Sequence, residues 1–300
     1  MRFNQIRDFV SIVEAGSIRA AARSLGVSHP AITKSLRQLE EDLRVQLIRR
    51  STRGVEPTAS GRAFLARAKA IQAEVRKAQE ELREFAGEAS GVVSIAVSPG
   101  AAAILAPEAI AEFLKTYPQA RLRIVEGTTP ALAPLLRDQS LDFALGNRLP
   151  AESDAGLKFR MLLRVPMVVA ARRGHPLLGA RSLRELADAR WIGLYPQGGG
   201  SVVERAFADA GLPFPEQYIT CASHIFAFEL MARTDALMTL PAQMAAAPLA
   251  RRLLEEIELA ETLPPMVLGL CTRADTRLSP LAAALARTVI DVAKRLERPK

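Results

Sequence analysis

The sequence predicts a multidomain α+β chain: an N-terminal winged helix-turn-helix, a long linker helix, and a body of two α/β lobes. Three observations predict it. Two short helical patterns meet at Gly26 within residues 17–40, a heptad of apolar residues runs from Phe64 to Phe85, and short apolar strands alternate with helices beyond residue 91. The expected boundaries are 1–58 for the winged domain, 59–87 for the linker helix and 88–91 for a hinge. Residues 92–163 with 267–300 form the first lobe, and 164–266 the second.

Three hundred residues suit two or three domains, and 49% hydrophobic content is ample for packed cores. No run of ~18 apolar residues could span a membrane. Arg2, Arg7 and Asp8 without an apolar run behind them do not make a secretory signal, so the expectation is a cytoplasmic protein. The net charge of +8 is unevenly placed. Residues 1–69 hold 13 Lys/Arg against 6 Asp/Glu, and residues 70–300 hold 27 against 26. A basic end on a neutral body is what a phosphate-facing module requires. The alternative of a membrane surface lacks its basic, aromatic-rich amphipathic helix. Cys221 and Cys271 have no metal-ligand spacing and read as small apolar thiols.

The first helix carries Phe3, Ile6, Phe9, Val10 and Val13 at helical spacing and ends at Gly16. Ser17 caps the second, whose Ala20, Ala21 and Ala22 allow close packing. Gly26 supplies the turn. Ser28 caps the third helix, with Pro30 in a first turn that has no N–H to lose. Ile32, Leu36, Leu39 and Leu43 form its buried stripe. The opposite face shows His29, Pro30, Thr33, Lys34 and Arg37. A helix-turn-helix with basic residues on its second helix enters a DNA major groove. His29, Thr33 and Lys34 are placed to reach base edges; Arg37 faces phosphate or is a solvated charge.

A basic tip follows, Arg49-Arg50-Ser-Thr-Arg53, between short runs at Gln46–Arg49 and Gly54–Pro57. It reads as the wing, with Arg49, Arg50 and Arg53 toward phosphate or minor groove, or else as a basic surface loop. Phe64, Ala68, Ile71, Val75, Ala78, Leu82 and Phe85 then recur at steps of 4, 3, 4, 3, 4 and 3. So narrow a seam needs a partner helix, and seven positions favour a dimer. Two paired recognition helices would match a double-stranded operator with dyad symmetry.

The chain resembles the LysR-type transcriptional regulators. The match includes Phe3, Phe9, Gly16-Ser17, Ala20-Ala21, Leu25, Val27-Ser28, Pro30-Ala31, Ser35, Leu39-Glu40, Leu43, Leu47, Arg49, Thr58 and Gly61. It continues through Ser98-Pro99, Tyr117-Pro118, Glu126-Gly-Thr128, Leu141-Asp142 and His175-Pro176. Arg44 stands where the family usually has Gly, Ile48 where it has Phe, and His29 where Gln is common. Thr234-Asp235 interrupts a usually Gly-rich turn. The resemblance implies a homo-oligomer, a tetramer rather than the pair the heptad alone supports. It also implies a small-molecule effector held between two lobes similar to those of periplasmic binding proteins.

Beyond residue 91, strands are expected at Val92–Val97, Arg121–Val125 and Leu141–Leu145. After Pro166 they follow at Met167–Ala171, Trp191–Leu194, Tyr218–Cys221, Ala236–Leu240 and Val267–Cys271, with a long last helix from Ser279. One helix is expected between Val97 and Tyr117, and the alternation predicts sheets of parallel type. Such sheets bind ligands beyond the carboxyl ends of their strands. Those ends are Ser98, Gly100, Ala101, Gly127, Thr128, Thr129 and Asn147 in the first lobe. In the second they are Gln197, Gly198, Ser223, His224 and Thr239. The set offers hydroxyls, amides and backbone N–H groups, with Gly100 and Ala101 as donors beyond Pro99, and contains no Lys or Arg. It suits a small organic anion, an aromatic acid included.

No nucleophile elbow, dinucleotide fingerprint or phosphate loop occurs, and His29, His175 and His224 have no metal spacing. The expectation is a non-enzymatic protein without cofactor or metal. A small-molecule binding protein of the solute-receptor class would account for residues 92–300 but leave the basic end and the heptad idle.

Overall fold

The computed structural model describes residues 1–51, 54–85, 91–148, 156–195 and 197–297. The hinge expected at 88–91 thus lies outside the described residues except for Gly91, as does Arg53. The chain divides into two compact units, Met1–Ser90 with Pro134–Leu141 and Gly91–Ala133 with Asp142–Lys300.

In the first unit, α1 (Phe3–Ala15), α2 (Ile18–Leu25) and α3 (His29–Leu43) precede a hairpin of β1 (Ile48–Ser51) and β2 (Gly54–Pro57), and α4 (Ala59–Phe85) follows. Local chemistry sets the helix ends. Ser17 Oγ accepts the Ala20 N–H at 3.4 Å and Ser28 Oγ the Ala31 N–H at 3.3 Å, each supplying an acceptor the first turn lacks. The buried stripes of α1 and α3 meet in one core that includes Phe9, Ile12, Ile32 and Leu39. Phe64 and Ala68 of α4 join it, the Phe64 ring centroid lying 5.4 Å from that of Phe9. The first two heptad positions are therefore consumed inside their own domain, which corrects the seven-residue seam. Ile71, Ala78 and Leu82 stay exposed, Leu82 at 68%.

The wing is bolted to this core at three places. Glu40 Oε1 accepts the N–H groups of Leu47 (2.8 Å) and Ile48 (3.3 Å). Val55 N–H donates to the Gly16 carbonyl at 2.9 Å. There Gly54, at φ +120°, sits so close that an added Cβ would lie 2.6 Å from that oxygen. Thr58 N–H donates to the Leu47 carbonyl (2.9 Å), Thr58 Oγ1 to the Gln46 carbonyl (2.7 Å), and Gly61 N–H to Thr58 Oγ1 (2.9 Å).

The second unit runs β3 (Val92–Val97), α5 (Pro99–Ile104), α6 (Ala106–Thr116), β4 (Arg121–Glu126), the start of α7 (Thr129–Arg137, counted with the first unit from Pro134), β5 (Phe143–Asn147) and β6 (Leu157–Val165). It continues with β7 (Met167–Arg172), β8 (Arg190–Gly193), α8 (Val202–Asp209), β9 (Tyr218–Thr220), α9 (His224–Met231), β10 (Ala236–Pro241) and α10 (Ala242–Ala245). Last come α11 (Pro248–Leu253), β11 (Leu254–Ile257), β12 (Met266–Arg273) and α12 (Pro280–Glu297). Two five-stranded sheets result, ordered β4-β3-β5-β12-β6 and β11-β7-β10-β8-β9. Both are mixed rather than parallel throughout: β12 runs antiparallel to β5 and β6, and β7 antiparallel to β10 and β11. These are the strands on which the chain crosses between lobes, and a crossing strand enters its sheet from the opposite end.

Burial on both faces accounts for the near-continuous apolar strands. Trp191 and Leu237 point into one core of the second sheet, while their neighbours Ile192 and Met238 point into another. The single helix expected before Tyr117 is two. The chain breaks at Leu105, and Pro107 has no N–H to carry α5 onward. The strands β6 and β11 were not among those expected.

Candidate functional site

The first unit presents one strip of chemistry. His29, Pro30, Thr33, Lys34 and Arg37, with Gln38 and Glu41, line a shallow concave face along α3. Ile32, Leu36 and Leu39 point the other way and are buried. Ser28 is spent as the N-cap of the helix. Thr33 Oγ1 donates to the His29 carbonyl at 2.8 Å, and Arg37 Nε to Glu41 Oε1 at 2.9 Å. Arg49 is exposed on β1. Arg50 lies on β1 with its side chain outside the described atoms, and Arg53 lies outside the described residues. The expected base-facing residues are thus brought together on one helix face, with Arg49 on the hairpin.

In the second unit, register locates the strand ends. Asn147 at the end of β5 pairs with Leu268, two residues from Met266, where the chain re-enters the first sheet. Pro241 at the end of β10 pairs with Met167, where it enters the second. The other passage is Pro166 alone, whose carbonyl accepts the Ala242 N–H at 2.9 Å. The carboxyl ends of both parallel strand sets therefore lie at the crossovers, which makes the space between the lobes the candidate ligand cleft. α10 of the second lobe touches α5 of the first.

Ser98, 2% exposed, caps α5: its Oγ accepts the Ala101 N–H at 3.3 Å and its own N–H donates to the Leu145 carbonyl at 2.7 Å. Ala101 thus spends its donor on Ser98 instead of the cleft. A Cβ at Gly100 would lie 2.6 Å from the Met266 methyl carbon, so the end of that side chain would have to shift. The Gly127 N–H is taken by the Val97 carbonyl (3.1 Å), and the Thr128 carbonyl accepts the Leu132 N–H (3.2 Å). Thr129 opens α7, its side chain outside the described atoms. Asn147 Oδ1 is buried and has no hydrogen-bond partner among the described residues.

Across the cleft, Ser223 Oγ caps α9 by accepting the Phe226 N–H at 3.3 Å. His224 follows with a buried Nδ1 that has no partner among the described residues, and burial pushes its imidazole down to about 4. Thr239 is half-buried on β10, opposite Val169. Gln197 is exposed. Among the described residues, no group of three or more His, Cys, Asp or Glu side chains could hold a metal ion.

Residues 3–62 match the bacterial regulatory helix-turn-helix protein, lysR family, and residues 86–294 match the LysR substrate binding domain. The chain belongs to the LysR family of transcriptional regulators. It is 31% identical over 292 residues to the HTH-type transcriptional regulator GalR of Pseudomonas putida, covering 96% of this chain and 73% of that one. It is 30% identical over 295 residues to an SDS degradation transcriptional activation protein of a Pseudomonas species, covering 96% and 95%. Full-length CbnR complexed with its target DNA has the same fold: TM-score 0.70 at 24% identity, over 97% of this chain and 100% of that one. This LysR-family regulator pairs a DNA-binding helix-turn-helix with a substrate-binding domain. None of its described helices is long and apolar enough to cross a membrane.

Two sets of side chains that brace the candidate sites carry no clear signal in the sequence. Ser35 Oγ donates to Asp8 Oδ2 at 2.6 Å, tying the recognition helix to α1, and Arg7 pairs with the same carboxylate at 2.8 Å. A charged residue inside the apolar pattern of α1 was the available signal. In the second lobe, Glu204 spans the glycine loop: Oε1 accepts the Gly198 N–H at 3.0 Å and Oε2 the Gly200 N–H at 2.9 Å. The Gly198 donor expected to meet a ligand is thus engaged by the chain's own carboxylate. Ser201 with Glu204 three residues on was the signal, a helix-start pattern.

Proposed function

We propose that the regulator senses a small organic acid, an aromatic one included, in the cleft between its lobes, and relays occupancy to a dyad-symmetric operator as a tetramer in the cytoplasm. The observation that carries the reading is a pair of desolvated polar atoms without partners, Asn147 Oδ1 in one lobe and His224 Nδ1 in the other. Burying a polar atom without a hydrogen bond costs about 1–3 kcal/mol, a cost a ligand can remove. An oxygen acceptor at Asn147 asks for a hydroxyl or amine on that ligand. The acid group suits the first lobe, where Ser98 Oγ can donate its own proton and Thr128 directly precedes α7. Glu204 makes the second lobe a poor host for it. Reversible binding, with no bond made or broken, fits these groups.

Thermal shift of the full chain against hydroxy-carboxylates, plain carboxylates, sulfonates and sugars tests the reading. A melting increase confined to acids, lost in Ser98→Ala, is expected. Stabilisation by neutral sugars alone, or the same increase in Ser98→Ala, overturns it.

A further inference from the structure

The second lobe carries an anion-binding loop that is already full. β8 runs parallel to β10, so its carboxyl end lies, with that of β10, at the crossover. Tyr218 Oη on neighbouring β9 donates to the Tyr195 carbonyl at 3.2 Å and fixes where the loop leaves the strand. Gly198 (φ +80°) and Gly200 (φ +68°) are left-handed, which glycine adopts without steric cost, and their two N–H groups turn to one side. N–H groups converging in this way make a concavity for an anion. The anion in it is the chain's own. Glu204 Oε1 takes the Gly198 N–H at 3.0 Å and Oε2 the Gly200 N–H at 2.9 Å, one charge-assisted bond to each oxygen. A capping glutamate ordinarily reaches back only to the residue that begins its helix. This one passes Ser201, whose Oγ accepts the Glu204 N–H at 3.1 Å, and engages the loop before it.

We infer that Glu204 restricts the effector to molecules with a single acid group: its carboxylate stands where a second one would bind. The inference rests on the organic-acid reading above. A second acid would meet a fixed negative charge there, and the other strand ends of that lobe, Gln197, Ser223, His224 and Thr239, supply no lysine or arginine to offset it. The Glu204 carboxylate is half-buried and keeps lone pairs beyond the two N–H bonds, so it can accept from a hydroxyl or ammonium group at the effector's far end.

Thermal shift of the full chain at constant ionic strength compares matched probes: benzoate with terephthalate, butyrate with succinate, and inorganic sulfate with chloride. In the wild type the monoacids are expected to raise the melting temperature more than their diacid partners, and sulfate to do no more than chloride. Glu204→Ala frees both N–H groups and is expected to gain about tenfold in apparent affinity for a diacid and for sulfate. Glu204→Gln keeps an acceptor for the loop without the charge; it serves if the alanine variant does not fold, and is expected to lose the bias against diacids. A diacid that stabilises the wild type as well as its monoacid overturns the inference. So does a folded variant with no gain for diacid or sulfate, which is what a purely structural clasp would give. No shift by any monoacid in the wild type overturns the organic-acid reading instead, and sulfate binding by Glu204→Ala then still decides whether the carboxylate fills the loop.

Discussion

Arg44 shows how much a single backbone angle can carry. It closes α3 at φ 57°, a left-handed position that its Cβ makes unfavourable, and it is exposed, with no packing to compensate. Arg44→Gly is expected to stabilise the end of α3 by about 1 kcal/mol, part of the relief being offset by the greater freedom of glycine in the unfolded chain. Hydrogen exchange at the last α3 amides should slow about fivefold; unchanged exchange would show the position to be unstrained. His224 makes a second prediction. With its imidazole at about 4 in the folded chain and about 6.5 when unfolded, the unfolded state takes up the proton first as pH falls. The stability it contributes is complete above pH ~6.5 and drains toward pH ~4, by at most about 1.4 kcal/mol per pH unit. His224→Gln should therefore lose less stability than the wild type over that interval. Parallel pH profiles from calorimetry would contradict a desolvated imidazole.

At the scale of elements, joints matter more than surfaces. Gly61 lies in the first turn of α4 against the wing, and an added Cβ would stand 1.9 Å from the Leu47 carbonyl oxygen, itself held by Thr58. Backbone cannot step aside as a side-chain tip can. Gly61→Ala should cost about 2–3 kcal/mol and weaken operator binding, read by thermal melting and gel shift. Elements whose signals are local were legible in the sequence. Ser17, Ser28 and Gly26 mark the helix-turn-helix, and Gly54–Pro57 the return strand of the wing. Elements defined by distant partners were not. β6 carries Lys158, Arg160 and Arg164 among its apolar residues, so it reads as surface until β12 pairs with it. The antiparallel course of β7 and β12 follows from the route between lobes, which no local window contains. The Asp8–Ser35 bond and the Glu204 clasp belong to the same class: their residues were in view, but their partners depend on the fold.

For the molecule as a whole, α4 is the surface we propose for assembly. With Phe64 and Ala68 taken into the N-terminal core, Ile71, Val75, Ala78 and Leu82 remain to meet another chain. Leu82→Glu places a charge on that seam at a residue already exposed, so the monomer fold should persist while association weakens. Sedimentation should show a smaller species at equal concentration, and affinity for a two-half-site operator should fall toward that for one half-site. An unchanged oligomer would assign association to another surface. The distribution of charge agrees with such a division of labour, the basic excess lying in residues 1–69 and a nearly neutral balance beyond.

The anchors of α3 lie away from its reading stripe. Asp8 holds it through Ser35 and the hairpin through Glu40, neither of which lines the strip formed by His29, Pro30, Thr33 and Lys34. In the DNA-reading role proposed for it, the stripe is an exchangeable cassette. A gene duplicate could drift to a new promoter by changing those four positions without loosening its scaffold, and an engineer could retarget the regulator in the same way.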